Sequence, residues 1–252
     1  MRIDLTGRKI LITGASGGIG KAVAEQLANA GATIALHYNQ QKQTAEKLAA
    51  EIGNNSSAFK ADLADEKEVI NLFEAVIDHY QNVDGLINNA GIAIPSSPGK
   101  DDRLWLKDWH ATLEVNLNAT ALLCKKAIAH FLPKQEGRIV NITSRAAFRG
   151  DTPEFLAYAA SKGGLVSLTR SIARGYGKSG IKAFNIAPGF ARTDMAQGFM
   201  DLYGEQIALD DIALKELTAP RDIAPMIALL ISGLADHATG CTIDINAGSY
   251  VH

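Results

Sequence analysis

Tyr158 and Lys162 stand four residues apart. On a helix that spacing stacks a phenol and an ammonium on one face. A phenol has a reference pKa of about 10 and is a poor acid near neutrality. A neighbouring cation favours the phenolate and lowers that value, and a phenol lowered in this way exchanges a proton with a substrate oxygen near pH 7. The spacing alone is weak, because Tyr38 and Lys42 repeat it. The surroundings of each pair must decide.

The second stretch with chemistry in it is Thr13-Gly14-Ala15-Ser16-Gly17-Gly18-Ile19-Gly20. It joins an apolar run at 9–13 to a helical pattern at 19–30. Glycines there let the backbone turn tightly and approach a pyrophosphate. The helix N-terminus adds free N–H groups and the positive end of its dipole. The spacing is Gly-x-x-x-Gly-x-Gly rather than the more familiar Gly-x-Gly-x-x-Gly, but its place between the first strand and the first helix points to dinucleotide binding. The second apolar run ends at Leu36-His37-Tyr38-Asn39, where an NAD site ordinarily carries Asp or Glu for the ribose 2′-hydroxyl. No carboxylate occurs between Glu25 and Glu46, which favours NADP over NAD. His37 and Lys42 are the candidate cations for a 2′-phosphate, and Asn39 and Ser16 are candidate hydrogen-bond donors. The competing reading makes His37 a partly buried strand residue without a ligand.

The elements that must position these residues follow from periodicity. β-like runs at 9–13, 33–38, 56–60, 84–88, 138–143, 181–187 and 241–245 alternate with helical patterns near 19–30, 41–52, 66–80, 108–132, 157–178 and 221–233. In 66–80, Val69, Leu72, Phe73, Val76, Ile77 and Tyr80 follow the i, i+3, i+4, i+7 rule, and Asp65 with Glu68 reads as a capping box. This alternation predicts an α/β fold, a doubly wound parallel sheet of about seven strands flanked by helices, as one domain over 1–252. The less regular segment 190–217 follows a strand end, where a substrate lid is expected. Its Met195, Phe199, Met200 and Tyr203 suit an apolar part of a substrate.

Composition excludes several classes. The hydrophobic share of 47% and charged share of 21% are those of an ordinary globular chain. A net charge of -2 without a basic block argues against nucleic acid as a partner. No apolar run is long enough to span a bilayer, and Arg2, Asp4, Arg8 and Lys9 break any signal-peptide pattern. A soluble cytoplasmic protein is expected. Cys124 and Cys241 lie far apart with no Cys-x-x-Cys spacing, and read as buried apolar residues, not a disulfide or a metal site. Trp105 and Trp109, four apart, read as packing.

Together these motifs resemble the short-chain dehydrogenase/reductase family, and within it the 3-oxoacyl-carrier-protein-reductase-like branch. The resemblance runs end to end. It rests on Thr13 to Gly20, Asp62-Leu63, Asn88-Asn89-Ala90-Gly91, Asn116, Ser144, Tyr158 with Lys162, and Pro188-Gly189 with Thr193. It implies a Rossmann fold in which Gly14, Ser16, Gly18, Ile19 and Gly20 hold the cofactor phosphates. Asp62 and Leu63 would contact the adenine, and Asn89, Ala90 and Gly91 would line the adenine-ribose side. Ser144 would bond the substrate oxygen, and Tyr158 would be the acid–base residue. Lys162 would lower the Tyr158 pKa and hold the nicotinamide ribose, and Asn116 would hold a water linking Lys162 to solvent. Pro188, Gly189 and Thr193 would fix the nicotinamide carboxamide. The physical reading agrees: hydride transfer to a ketone builds charge on oxygen, which Ser144 and Tyr158 would stabilise. Thr143 rivals Ser144, but strand alternation turns it to the opposite face.

The expectation is an NADP(H)-preferring oxidoreductase that interconverts a ketone and a secondary alcohol. Its substrate would be a small carbonyl compound, or a thioester on a carrier protein or CoA. The alternatives are an NAD-linked alcohol or sugar dehydrogenase and a non-catalytic nucleotide-binding regulator. The resemblance also implies a homotetramer. Some residues depart from the branch. The Ser144–Tyr158 interval is one residue longer, and its insert carries Arg145, Arg149, Asp151 and Glu154. Gln135 and Ser179 stand where two basic residues dock a carrier protein, with Lys134 and Lys178 beside them. Asn246 stands where Gly is more usual.

Overall fold

The computed structural model describes residues 3–193 and 204–251. Seven parallel strands form one sheet: β1 (Lys9–Ile12), β2 (Thr33–Tyr38), β3 (Ser57–Lys60), β4 (Gly85–Asn88), β5 (Gly137–Ile142), β6 (Ile181–Pro188) and β7 (Thr242–Ile245), in the order β3-β2-β1-β4-β5-β6-β7. The order reverses between β1 and β4, which opens a crevice at their carboxyl ends.

The helices are α1 (Gly18–Asn29), α2 (Lys42–Ile52), α3 (Glu66–Tyr80), α4 (Asp102–Leu113), α5 (Ala119–Phe131), α6 (Ala146–Arg149), α7 (Leu156–Tyr176), α8 (Glu205–Asp210) and α9 (Pro220–Ser232). The central strands are apolar on both faces because helices cover both. Ile10, Ile12, Ile34, Leu36, Val140, Ile142, Phe184 and Ile186 point into a core shared with Val23 and Leu27 of α1 and Ile223 and Ile227 of α9. Leu11, Ala35, Leu86, Ile139 and Ala183 point the other way, onto Leu72 and Phe73 of α3, Leu123 and Phe131 of α5 and Ile172 of α7. Period-2 alternation thus sorts each strand between two cores.

Three local expectations change. Asp65 accepts from the N–H groups of Lys67 and Glu68, but Glu68 does not return the bond to Asp65. Its Oε2 accepts from the Asp62 N–H at 2.6 Å instead, which fixes the turn after β3. The pattern at 108–132 is two helices joined by a π turn at Glu114–Asn118, and the first begins at Asp102, capped by the Asp101 carboxylate. The early residues of α4 were not legible as helix because Leu104 and Leu106 are exposed. Among the described residues no helix is long and apolar enough to cross a membrane.

Candidate active site

Tyr158 lies in the first turn of α7 and Lys162 one turn later. Lys162 is 4% exposed. Its Nζ donates to the Ile142 carbonyl at 2.9 Å and lies 5.6 Å from the centre of the Tyr158 ring. Ser144 comes two residues after β5 ends, close enough to the Tyr158 phenol to act on its pKa. The Ala146 N–H donates to Ser144 Oγ at 3.1 Å, which aims the hydroxyl. Thr143 does turn away: its hydroxyl donates to the Ile186 carbonyl at 2.8 Å. The structure therefore brings Ser144, Tyr158 and Lys162 together at the carboxyl edge. The rival pair is split, with Tyr38 buried and Lys42 paired with Glu46 at 3.6 Å.

The electrostatics correct one expectation. Burial pushes the Tyr158 phenol above its usual value; the Ser144 hydrogen bond opposes this and the Asp151 carboxylate adds to it. In the free protein the direction is set by removing a phenolate from water, not by Lys162. Burial also acts on Lys162, whose ammonium is lowered to about 8.

Asn116 sits on the π turn and is wholly buried. Its Oδ1 accepts from the Ile92 N–H at 2.8 Å, and its Nδ2 donates to the Ile92 carbonyl at 2.9 Å and to Ser161 Oγ at 3.1 Å. The side chain clasps the segment after β4 to α7. A methyl group on Gly91 would lie 3.3 Å from both Asn116 Oδ1 and Lys162 Nζ, so the missing side chain lets these groups approach.

The glycine turn fits a dinucleotide phosphate. Gly14 has φ 63°, a left-handed conformation open to glycine. A Cβ on Gly20 would fall 2.2 Å from the Gly14 carbonyl oxygen. No side chain caps the start of α1 and no acidic residue lies in its first turn, so that end is suited to an anion. Thr13, which site prediction overlooked, braces the turn: its hydroxyl accepts from the N–H groups of Asn89 at 2.9 Å and Ala90 at 3.0 Å. Asn89 Nδ2 returns bonds to the carbonyls of Thr13 and Gly14 at 2.9 and 3.0 Å. Across the crevice, Gly18 faces the Thr193 methyl. The Gly189 N–H donates to Ile245 at 3.2 Å, which seats the Pro188-Gly189 turn against β7. Asp62 Oδ1 accepts from the Ala64 N–H at 3.0 Å, and Leu63 is buried beneath it.

His37 is not a cation for a 2′-phosphate. It is 2% exposed; its Nδ1 accepts from the Gly14 N–H at 3.0 Å and its Nε2 faces the Ala61 carbonyl at 3.0 Å. That pairing fixes a neutral ring protonated on Nε2, and burial lowers its pKa further. The imidazole props up the glycine turn from below. The cations lie further out. A cavity of about 400 Å³ at the end of β2 is lined by Tyr38, Asn39, Gln40, Lys42 and Lys60. Lys60 pairs with Tyr38 across β2 and β3, a register the sequence alone did not supply. A Cβ on Gly17 would come no nearer than 4.0 Å to Gln41 Oε1, so this side of the crevice stays open. Ser16 lies in the glycine turn, just before Gly17.

The ends of the segment at 190–217 are tied together. Ala191 bridges Thr218, Arg192 pairs with Glu205, and Phe190 packs on Ala208 and Leu217. Met195, Phe199, Met200 and Tyr203 lie outside the described residues. Gln135 and Ser179 occupy adjoining turns before β5 and β6, at the opposite edge of the sheet from Ser144. Beside them Lys134 is taken up by His130 and Asn82. Cys124 and Cys241 are free thiols, the first buried, and Trp105 stacks on Trp109 at 5.1 Å.

Known proteins share this architecture. A family model described as Enoyl-(Acyl carrier protein) reductase matches residues 14–250. The 3-oxoacyl-[acyl-carrier-protein] reductase FabG of Aquifex aeolicus (strain VF5) is 32% identical over 261 residues, covering 99% of this chain and 100% of its own. A short chain dehydrogenase from Burkholderia cenocepacia J2315, solved in complex with NADP, superposes with a TM-score of 0.89 at 31% identity, covering 99% of both chains. A 3-ketoacyl-(acyl-carrier-protein) reductase from Brucella melitensis, complexed with NADH, gives a TM-score of 0.88 at 30% identity, covering 98% of this chain and 100% of its own.

Proposed function

The chain belongs to the short-chain dehydrogenase/reductase family, and from that premise we propose that it is an NADP(H)-preferring reductase of a 3-oxoacyl thioester or a related ketone. The observation that carries the reading is the placement of Ser144, two residues past β5, beside the Tyr158 phenol, with the Lys162 ammonium one turn away. Two neighbouring hydroxyls suit a carbonyl oxygen that becomes an alkoxide.

NADP(H), when bound, supplies the hydride in reduction and accepts it in oxidation. Gly14, Ser16, Gly18, Ile19 and Gly20 would hold its phosphates. Asp62, Leu63, Asn89, Ala90 and Gly91 would border the adenosine half, and Pro188, Gly189 and Thr193 the nicotinamide half. Lys42 and Lys60, with Asn39, would meet the 2′-phosphate in place of His37. In reduction the C=O π pair moves to oxygen as the new C–H bond forms. Ser144 donates a hydrogen bond to that oxygen and Tyr158 gives it the phenolic proton. Lys162, lowered to about 8 by burial, steadies the phenolate left behind. Asn116 keeps Lys162 in place through Ile92 and Ser161.

The segment at 190–217 would cover the substrate. The exposed Leu104 and Leu106 of α4 accord with assembly into a homotetramer, which light scattering would test; a cytoplasmic location accords with the same reading. The functional test is oxidation of NADPH and NADH with 3-oxobutanoyl and 2-butenoyl thioesters and simple ketones. Reduction of the oxo thioester with NADPH preferred is expected. Reduction of the enoyl thioester alone would replace the ketone reading, and a preference for NADH would overturn the cofactor assignment.

A further inference from the structure

Two arginines outside the Ser144–Tyr158–Lys162 set converge on one carboxylate beside it. Arg145 directly follows Ser144, and its N–H donates to the Pro188 carbonyl at 3.0 Å. Its side chain is 7% exposed, and the guanidinium carbon lies 4.8 Å over the Phe190 ring. Nη1 reaches Asp211 Oδ2 at 2.6 Å. Arg149, one turn further along, places its Nη1 at 3.1 and 3.0 Å from the two oxygens of the same carboxylate and 3.5 Å from the Ser249 carbonyl. Asp211, the residue after α8, is 36% exposed.

Burying a guanidinium is costly unless its charge and its donors are both met. Asp211 is one carboxylate for two cations, and Arg149 already engages both of its oxygens. Arg145 Nη1, fully buried, makes no well-aligned hydrogen bond despite the short ion pair. Asp151 feels both arginines only at a distance. Positive charge beyond what Asp211 neutralises directly is therefore built into the wall next to Ser144.

We infer that Arg145, assisted by Arg149, binds a carboxylate of the substrate, so that the ketone taken by this site is an oxo acid or an oxoacyl chain carrying a carboxylate. The planar guanidinium fork matches a carboxylate, and Asp211 shows that this pair accommodates one. Arg145 directly follows Ser144, and its guanidinium lies over Phe190, two residues past the Pro188 carbonyl that its N–H binds, so an anion held there would sit on the same edge of the site as a carbonyl held by Ser144. A phosphate at the far end of a pantetheine arm does not meet that condition. The inference rests on the proposed action of Ser144 and Tyr158 on a ketone.

The test compares 4-oxopentanoate with its methyl ester as substrates with NADPH, using wild type, Arg145→Met, Arg145→Lys and Asp211→Asn. The acid-to-ester ratio of kcat/KM cancels any loss common to both substrates. A wild-type preference for the acid of about tenfold or more is expected. It should collapse in Arg145→Met, be partly kept in Arg145→Lys, and rise in Asp211→Asn, where the internal carboxylate no longer competes. A ratio near one in wild type, or a ratio unchanged in Arg145→Met, overturns the inference while leaving the reductase reading intact. Should Arg145→Met not fold, Arg145→Lys and Asp211→Asn decide. If wild type reduces neither compound nor the thioester, the reductase reading fails, and calorimetric binding of acid and ester to the NADPH-loaded protein decides the carboxylate site. Tighter binding of the acid, lost in Arg145→Met, supports it, and equal binding overturns it.

Discussion

Lys162 Nζ donates to the Ile142 carbonyl at 2.9 Å, two residues before Ser144, so the ammonium and the substrate-facing hydroxyl are fixed to one strand end. The geometry is gained against stability. The buried ammonium is lowered from 10.5 to about 8, so between those values the unfolded chain binds more protons than the folded one. This residue's contribution to stability therefore rises as pH increases from about 8 to about 10.5, and its full cost is present below pH 8.

Lys162→Met should consequently stabilise the free protein at pH 7 while abolishing turnover. At 1.36 kcal/mol per pH unit, the lowering corresponds to about 3 kcal/mol. Leaving the Ile142 carbonyl unpaired returns about 1 kcal/mol of that, so a net gain of about 2 kcal/mol is expected. Calorimetry at pH 7 and pH 10 checks it: the gain should shrink at the higher pH. A variant less stable than wild type at pH 7 contradicts the cost assigned to the ammonium.

Ser144→Ala removes one of the two hydroxyls aimed at the substrate oxygen. By analogy with loss of a single oxyanion donor, kcat should fall by about 10² to 10³. NADPH affinity should hold, because Ser144 Oγ is bonded by the Ala146 N–H and lies beside Tyr158, not in the glycine turn. A loss confined to KM would mean that Ser144 only positions the ground state.

His37 and the lysines near it should separate cleanly. His37→Ala leaves the Gly14 N–H and the Ala61 carbonyl unpaired in a buried place, which should cost about 1–3 kcal/mol of stability. It should weaken NADPH and NADH alike. Lys60→Ala and Lys42→Ala, both at exposed positions, should weaken NADPH with little effect on NADH. Fluorescence titration of both nucleotides measures the ratio, and a His37 variant that changes it would restore the imidazole to the 2′ end.

Much of this was legible from spacing. The run at 33–38 is β2 residue for residue, because alternating apolar side chains meet helices on both faces. The glycine turn, Ser144, Tyr158 and Lys162 read correctly as neighbours at one edge, since each follows or opens an element whose direction the alternation fixes. What the sequence concealed depends on tertiary partners. Glu68 passes over Asp65 for the Asp62 N–H, and the Asn116 amide is spent on Ile92 from a π turn. His37 read as either a cation for the 2′-phosphate or a strand residue without a ligand, and its bonds to Gly14 and Ala61 decide for the second. Lys60 reached the cofactor side through the β2–β3 register, and Arg145 met Asp211 across 66 residues of chain, a pairing that no local pattern encodes.

The most direct measurement is turnover and NADPH binding by Tyr158→Phe. The substitution removes one hydroxyl and keeps the ring beside Lys162. Loss of the proton donor should lower kcat by about 10² to 10⁴, with the NADPH dissociation constant within about twofold of wild type, since a change of that size is under 0.5 kcal/mol. Turnover close to wild type with NADPH bound normally would show that the proton comes from elsewhere and would remove Tyr158 from the chemistry.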